Sequence, residues 1–266
     1  MEQQLTLFLQ HAYNGIAIGA VYALIAAGIT LVYGLSRIIH FAVGELVMLG
    51  AFVTWVVWRE TGSFALGLAA AIPALALIGL VTERVVFRFT LSEPLTGFIV
   101  SLGLILVLQG TAIEIWTANP QYSQPPFQGS WDVGGVLVRR QSVVNILLVS
   151  AVLAVSYFVL MKTTYGKALR AVSDDPGASA LMGIPVRTII MTTFVVGSAL
   201  AGIAGWIVLT IGSITPFIGA SYLLRGFAVA LIGGLGNIQG AALAGLGLGI
   251  AESLAAGYVG PGWTDA

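Results

Sequence analysis

Charge is confined to a few short clusters in this chain, and the intervals between them are long and apolar. Gln3–Ser36, Thr61–Thr82, Pro94–Ile113, Gln141–Met161, Thr188–Leu224 and Gly226–Ala251 carry no Asp, Glu, Lys or Arg; a shorter interval, Leu46–Trp58, closes on Arg59 and Glu60. A charge at the centre of a bilayer costs about 2.5–3.5 kcal/mol on insertion scales, so such intervals are where a chain can cross lipid. Charged residues make up 8% of the 266 positions, against about 25% in a soluble domain. That excludes a soluble globular enzyme, a disordered chain and a nucleic-acid binder with a basic face. Cys is absent, which excludes a disulfide scaffold, a thiol nucleophile and an iron–sulfur site. What remains is an integral membrane protein. At roughly 20 residues per span there is room for seven or eight spans and short loops, but for no separate soluble domain.

The runs are continuous and rich in Ala, Leu and Gly, whereas a β-barrel alternates polarity over segments of about ten residues. The expected fold is therefore all-α: a polytopic membrane helix bundle of about seven to eight membrane segments, forming a single transmembrane domain over 1–266. Spans are expected near 12–34, 44–58, 63–82, 95–116, 143–161 and 188–211, followed by a more irregular membrane region over 222–258. The opening Met1-Glu2-Gln3-Gln4 lacks a positive flank, so the first run reads as a retained span rather than a signal peptide.

Alternation puts loops 35–43, 83–93 and 162–187 on one side, with Arg37, Arg84, Arg88, Lys162, Lys167, Arg170 and Arg187. Arg59, Arg139 and Arg140 fall on the other, so the positive-inside rule makes the first set cytoplasmic and the N-terminus outside. The outer loop 117–142 holds Pro120, Pro125, Pro126 and a Gly134-Gly135 turn, and Gly135–Arg139 can form one edge of a small hairpin. It reads either as a contact for a partner or as a rigid cover over helix ends.

The cytoplasmic loop 162–187 is polar and Ala-rich. One short helix fits near 165–172, and Asp175 can cap a second whose first position is Pro176. Gly183 is a stop, with Pro185 beyond it. The resulting pair of small-residue helices along the inner face is either a surface that another protein grips or a capped linker.

Acidic residues inside a membrane segment are functional hypotheses by default. Glu45 follows Gly44 at the start of a short run; in the first turn of a helix the dipole favours its carboxylate. Glu45 and His40 either line the pathway, or Glu45 is satisfied by Arg37. Glu114 and Glu252 lie near span ends, where they can reach water. The stretch Gly233–Gly240 interrupts an apolar region and leaves Asn237 and Gln239 in need of partners. It reads as a re-entrant turn between half-helices 222–233 and 240–256, the kind of break that marks a transport pathway, or else as a Gly-rich packed helix. Gly15/Gly19 and Gly245/Gly249 are spaced for close helix contact.

There is no Gly-x-x-x-x-Gly-Lys-[Ser/Thr], so the chain has no P-loop for ATP, and Gly234-x-Gly236 lacks the context of a dinucleotide fingerprint. No cluster has metal-ligand spacing, His11 and His40 support no Ser–His–acid arrangement, and no cofactor is implied.

Three motifs carry a family resemblance. They are Asn14-Gly15 through Tyr33-Gly34; Ile39-His40-Phe41-Ala42-Val43-Gly44-Glu45 with Met48 and Gly50; and Gly233-Gly234-Leu235-Gly236-Asn237-Ile238-Gln239-Gly240. With Gly166-Lys167-Ala168-Leu169-Arg170 and Ala178–Ile184 in the loop, the chain resembles ABC importer permeases of the branched-chain amino acid (Liv-type) family in order and spacing along essentially its whole length. The resemblance implies a transport subunit rather than an enzyme, working in a bacterial inner membrane beside a second permease subunit. It also implies two cytoplasmic ATPase subunits and an extracytoplasmic substrate-binding protein. Gly166, Lys167, Arg170, Asp174, Asp175 and Gly183 are then the ATPase-coupling residues. His40, Phe41, Glu45, Gly234, Gly236, Asn237 and Gln239 are the expected pathway residues. His40 stands where the family has Asn, and Val43 where it has His or Gln, which leaves urea or a short amide open as the solute. A proton-coupled secondary transporter using Glu45 and His40 is the reading from a different class. Family members run about one span longer, so a further apolar helix is expected after Ala266.

Overall fold

The computed structural model describes residues 2–91, 93–258 and 260. The expected continuation beyond Ala266 lies outside these residues. The helices are α1 (Glu2–Ser36), α2 (Val43–Thr61), α3 (Phe64–Val85), α4 (Pro94–Trp116), α5 (Arg140–Lys162), α6 (Thr164–Asp174), α7 (Pro176–Leu181), α8 (Val186–Ile211), α9 (Ile218–Gly233) and α10 (Ile238–Tyr258). A single 3-10 turn, Phe87–Phe89, follows α3. Strands β1 (Ser130–Val133) and β2 (Val136–Arg139) pair antiparallel across Gly134-Gly135, with Val133 opposite Val136. Both glycines have positive φ, the conformation a two-residue hairpin turn requires.

The chain is thus an all-α membrane bundle. Among the described residues six helices, α1, α3, α4, α5, α8 and α10, are long and apolar enough to cross a membrane, and α9 is a shorter apolar helix. Every one overlaps an interval that the distribution of charge marks as a span. Local chemistry sets the ends. Gly62 closes α2 in the left-handed conformation at φ 69°, and the Ser63 side chain accepts from Leu66 N to start α3.

Helices α1 and α8 are the most enclosed, while α4 and α5 ring the bundle with apolar faces such as Leu95, Ile99, Leu147 and Phe158. α1 packs along α10, and α8 against α2 and α3. The α1–α10 contact depends on glycine. A methyl group at Gly15 meets the Gly249 carbonyl at 2.7 Å, and one at Gly245 meets Ala23 Cα at 2.7 Å, so side chains there would push the helices apart.

α1 starts at Glu2 rather than near residue 12. The added turns reach the hairpin. Gln10 Nε2 donates to the Leu137 carbonyl at 3.1 Å and its Oε1 accepts from Leu137 N at 2.7 Å; the Tyr13 hydroxyl donates to the Arg139 carbonyl at 3.0 Å. These partners are more than a hundred residues away in sequence, so no local pattern announces them.

Candidate translocation pathway and coupling surface

The loop 162–187 folds as the two short helices α6 and α7. Thr163 Oγ1 accepts from Gly166 N at 3.2 Å and Asp175 Oδ1 accepts from Ala178 N at 2.9 Å, which caps each first turn. Gly183 ends the unit at φ 81°. Leu169 and Val172, three apart on one face of α6, are buried in a cluster with Val32 and Ile38 near the end of α1, Phe87, and Ile190 and Phe194 of α8. Gly166 faces the Leu160 carbonyl so closely that no β-carbon fits, and the Arg170 guanidinium donates to that same carbonyl. Ser173 Oγ donates to the Gly34 carbonyl at 2.6 Å. The side of α6 and α7 turned away from the bundle carries Lys167, Asp174, Asp175 and Gly183, all exposed. At its tip Leu181 is 91% and Met182 82% exposed.

The break between α9 and α10 is confirmed, over residues 234–237, but its depth differs from that of a mid-membrane re-entrant turn. Gly236 lies against Gly34, two residues from the end of α1, so the turn sits at the end of the bundle. α9, at 16 residues, extends about 24 Å at 1.5 Å per residue and brings the chain there as a helix. Gly234 (φ 87°) and Gly236 (φ 95°) supply the left-handed geometry. Asn237 Oδ1 accepts from Gly240 N at 3.1 Å and caps α10. Gly236, Asn237 and Gln239 line a cavity of about 260 Å³ together with Arg170 and Ser173 of α6 and Thr30 and Gly34 of α1. Arg170 and Gly236, about 65 positions apart in sequence, therefore face one space.

His40, Phe41 and Glu45 do not line that cavity. The segment 37–42 leaves α1 with Arg37 at φ 55° and turns back along α4, where the Ser101 hydroxyl accepts from Phe41 N at 3.3 Å. His40 is buried edge-on to Phe87, centroids 4.5 Å apart, and Phe41 packs between Phe98 and Phe227. Glu45 lies in the first turn of α2 and is 1% exposed. It is not paired with Arg37; its carboxylate packs on Gly219 of α9, where a β-carbon would come within 2.6 Å of Oε1. Both His40 nitrogens and Glu45 Oε2 have no hydrogen-bond partner among the described residues.

Two polar groupings escape sequence reasoning. At the hairpin end, Gln141 Nε2 donates to Asn145 Oδ1 at 2.9 Å, and Asn145 Nδ2 donates to Thr210 Oγ1 at 3.1 Å, joining α5 to α8. Within the bundle, Arg225 of α9 and Glu252 of α10 form an ion pair at 3.0 Å. Glu252 is thus a paired residue that also borders an open cleft, with 17% side-chain exposure. The available signal was that these two opposite charges bound the same charge-free run.

Residues 12–265 match the family described as branched-chain amino acid transport system, permease component. The chain is 34% identical over its whole length to the high-affinity branched-chain amino acid transport system permease protein LivH of Escherichia coli (strain K12), covering 91% of that protein. It is 30% identical to the corresponding permease protein BraD of Pseudomonas aeruginosa, over 97% of this chain and 89% of BraD. It is 29% identical to the probable branched-chain amino acid transport permease protein LivH of Methanocaldococcus jannaschii, over 89% and 77%. No solved structure matches. The helical bundle and these full-length similarities agree: the chain belongs to the family of branched-chain amino acid transport permeases, and its role is that of a transport subunit rather than an enzyme.

Proposed function

We propose that this chain pairs with a second permease subunit to form the pathway of an ATP-driven importer for branched-chain amino acids in the bacterial inner membrane. The single domain then has eight membrane segments, the six long apolar helices together with α2 and α9. The N-terminus and the β1–β2 hairpin lie outside, and α6 and α7 face the cytoplasm, in keeping with the excess of Lys and Arg on that side.

The observation that carries the reading is the cavity shared by Arg170 with Gly236, Asn237 and Gln239. Two ATPase subunits press on the exposed side of α6 and α7, at Lys167, Asp174, Asp175 and Gly183, and on the apolar tip at Leu181 and Met182. Gly166, with no room for a side chain, keeps α6 seated on the end of α5, so the push is delivered to α1 and the 234–237 turn rather than dissipated. Energy comes from outside the chain; a ligand or partner shifts a conformational equilibrium only by its differential affinity for the two states. His40, Phe41 and Glu45 brace the pathway from the packed region where α2 begins beside α9. An extracytoplasmic binding protein delivers solute at the hairpin end.

The test is leucine uptake into cells carrying the permease pair and binding protein, with and without both ATPase genes. Uptake is expected to vanish without the ATPases. Uptake that persists without them overturns the ATP-driven reading.

A further inference from the structure

Arg225 and Glu252 stand out against the rest of the bundle. Among the described residues the other ion pair, Arg59–Glu60, is a surface contact at 3.9 Å. Arg225 and Glu252 meet at 3.0 Å with 25% and 17% side-chain exposure, in the interior of two otherwise apolar helices. Tyr22 on α1 and Tyr222 on α9 stand beside the pair. Glu252 also lines a cleft of about 710 Å³ that reaches the hairpin, with Gln10, Asn14, Ser142 and Asn145 along its walls. The cleft, with Ala17, Ile18 and Ile211 among its apolar walls, thus joins one end of the bundle to the Glu252 side of the ion pair.

A role in packing does not account for the pair. The α1–α10 contact already rests on glycines 15, 19, 245 and 249, and a buried ion pair is weak evidence for stability because desolvation offsets its attraction. Charged residues held inside a membrane segment mark substrate and ion pathways. We propose that Arg225 and Glu252 recognise the two charges of a free α-amino acid, the guanidinium taking the α-carboxylate and the Glu252 carboxylate taking the α-ammonium. A guanidinium matches a carboxylate bidentately. The exchange is neutral: the two protein charges release each other and each gains the opposite charge on the solute, so no unpaired charge is left in the apolar interior. The aliphatic side chain of the solute is not read at this point, which leaves selectivity among amino acids to other surfaces.

This inference rests on the amino acid reading above, and its test separates the two. The complete transporter with its ATPases is reconstituted in liposomes with the binding protein, and leucine transported per ATP hydrolysed is measured. If the wild type moves no leucine, the amino acid reading fails whatever the pair does. If it does, the double variant Arg225→Met/Glu252→Gln, which removes both charges and leaves neither unpaired, is expected to lower the ratio at least tenfold. A merely structural role lowers uptake and ATP hydrolysis together and keeps the ratio near wild type, and that result overturns the proposal. Should the double variant not assemble, Glu252→Asp keeps the charge and withdraws it by one methylene. Its ratio is expected to fall severalfold, and an unchanged ratio overturns the proposal equally.

Discussion

The hydroxyl of Ser173 donates to the carbonyl of Gly34 at 2.6 Å, across 139 residues of sequence. It ties α6 to the last turn of α1, and Gly34 in turn abuts Gly236 in the turn between α9 and α10. α6 is thus joined to that turn through one short hydroxyl and one backbone-to-backbone contact, with no long flexible side chain between.

Ser173→Ala tests this link. A net hydrogen bond contributes about 0.5–1.5 kcal/mol, so if the bond is made in only one transport state, solute moved per ATP should fall about two- to tenfold, at 1.4 kcal/mol per tenfold. The permease should still purify with its ATPases. An unchanged ratio in reconstituted vesicles detaches α6 from α1 as a route of coupling.

Arg170→Glu and Asp175→Ala should both uncouple ATP hydrolysis from uptake, for different reasons. Arg170 bridges α6 to the Leu160 carbonyl at the end of α5 and borders the cavity at 236–239. Asp175 caps α7, and loss of such a cap costs about 1 kcal/mol. Asp175→Asn keeps a capping oxygen without the charge, so it should restore most of the coupling lost in Asp175→Ala. If the Asn variant is as impaired as the Ala variant, the charge matters rather than the cap.

Leu181 and Met182 should matter to assembly and not to the fold. They are the most exposed large apolar side chains in the described residues, so Leu181→Ser/Met182→Ser should change permease stability by no more than about 0.5 kcal/mol per site. Recovery of the ATPase subunits on affinity-tagged permease should drop severalfold at an unchanged melting temperature. Full recovery would remove this tip from the contact surface.

The spans were legible in the sequence because charge is so expensive in lipid that its absence over twenty residues has few other causes. The hairpin and the α6–α7 pair were legible because Gly134-Gly135, Asp175-Pro176 and Gly183 act locally through φ and capping. What escaped was long-range. Nothing local to Arg225 says that its partner lies 27 residues on in a neighbouring helix, or that Glu45 faces Gly219 rather than Arg37. The turn at 234–237 was visible from its glycines, but its level was set by packing of Gly236 on Gly34, a contact no periodicity encodes. Leu181 and Met182 fall in the loop read as a surface or a linker, but only the fold shows them as its exposed apolar tip.

Glu45 separates the two classes of transport mechanism. Its carboxylate is enclosed at the start of α2 and rests on Gly219, where no side chain fits. Glu45→Gln preserves shape and removes the charge, so packing against α9 should survive. If the residue braces an ATP-driven pathway, uptake should fall about tenfold, equivalent to about 1.4 kcal/mol. The remaining uptake should still require ATP and ignore an imposed proton gradient, because no proton is then part of the cycle. If instead Glu45 accepts and releases a proton in each cycle, the variant should flatten or displace the pH optimum of uptake. A displaced optimum, together with uptake that tracks an imposed proton gradient in ATP-free vesicles, would overturn the ATP-driven reading from within the bundle itself.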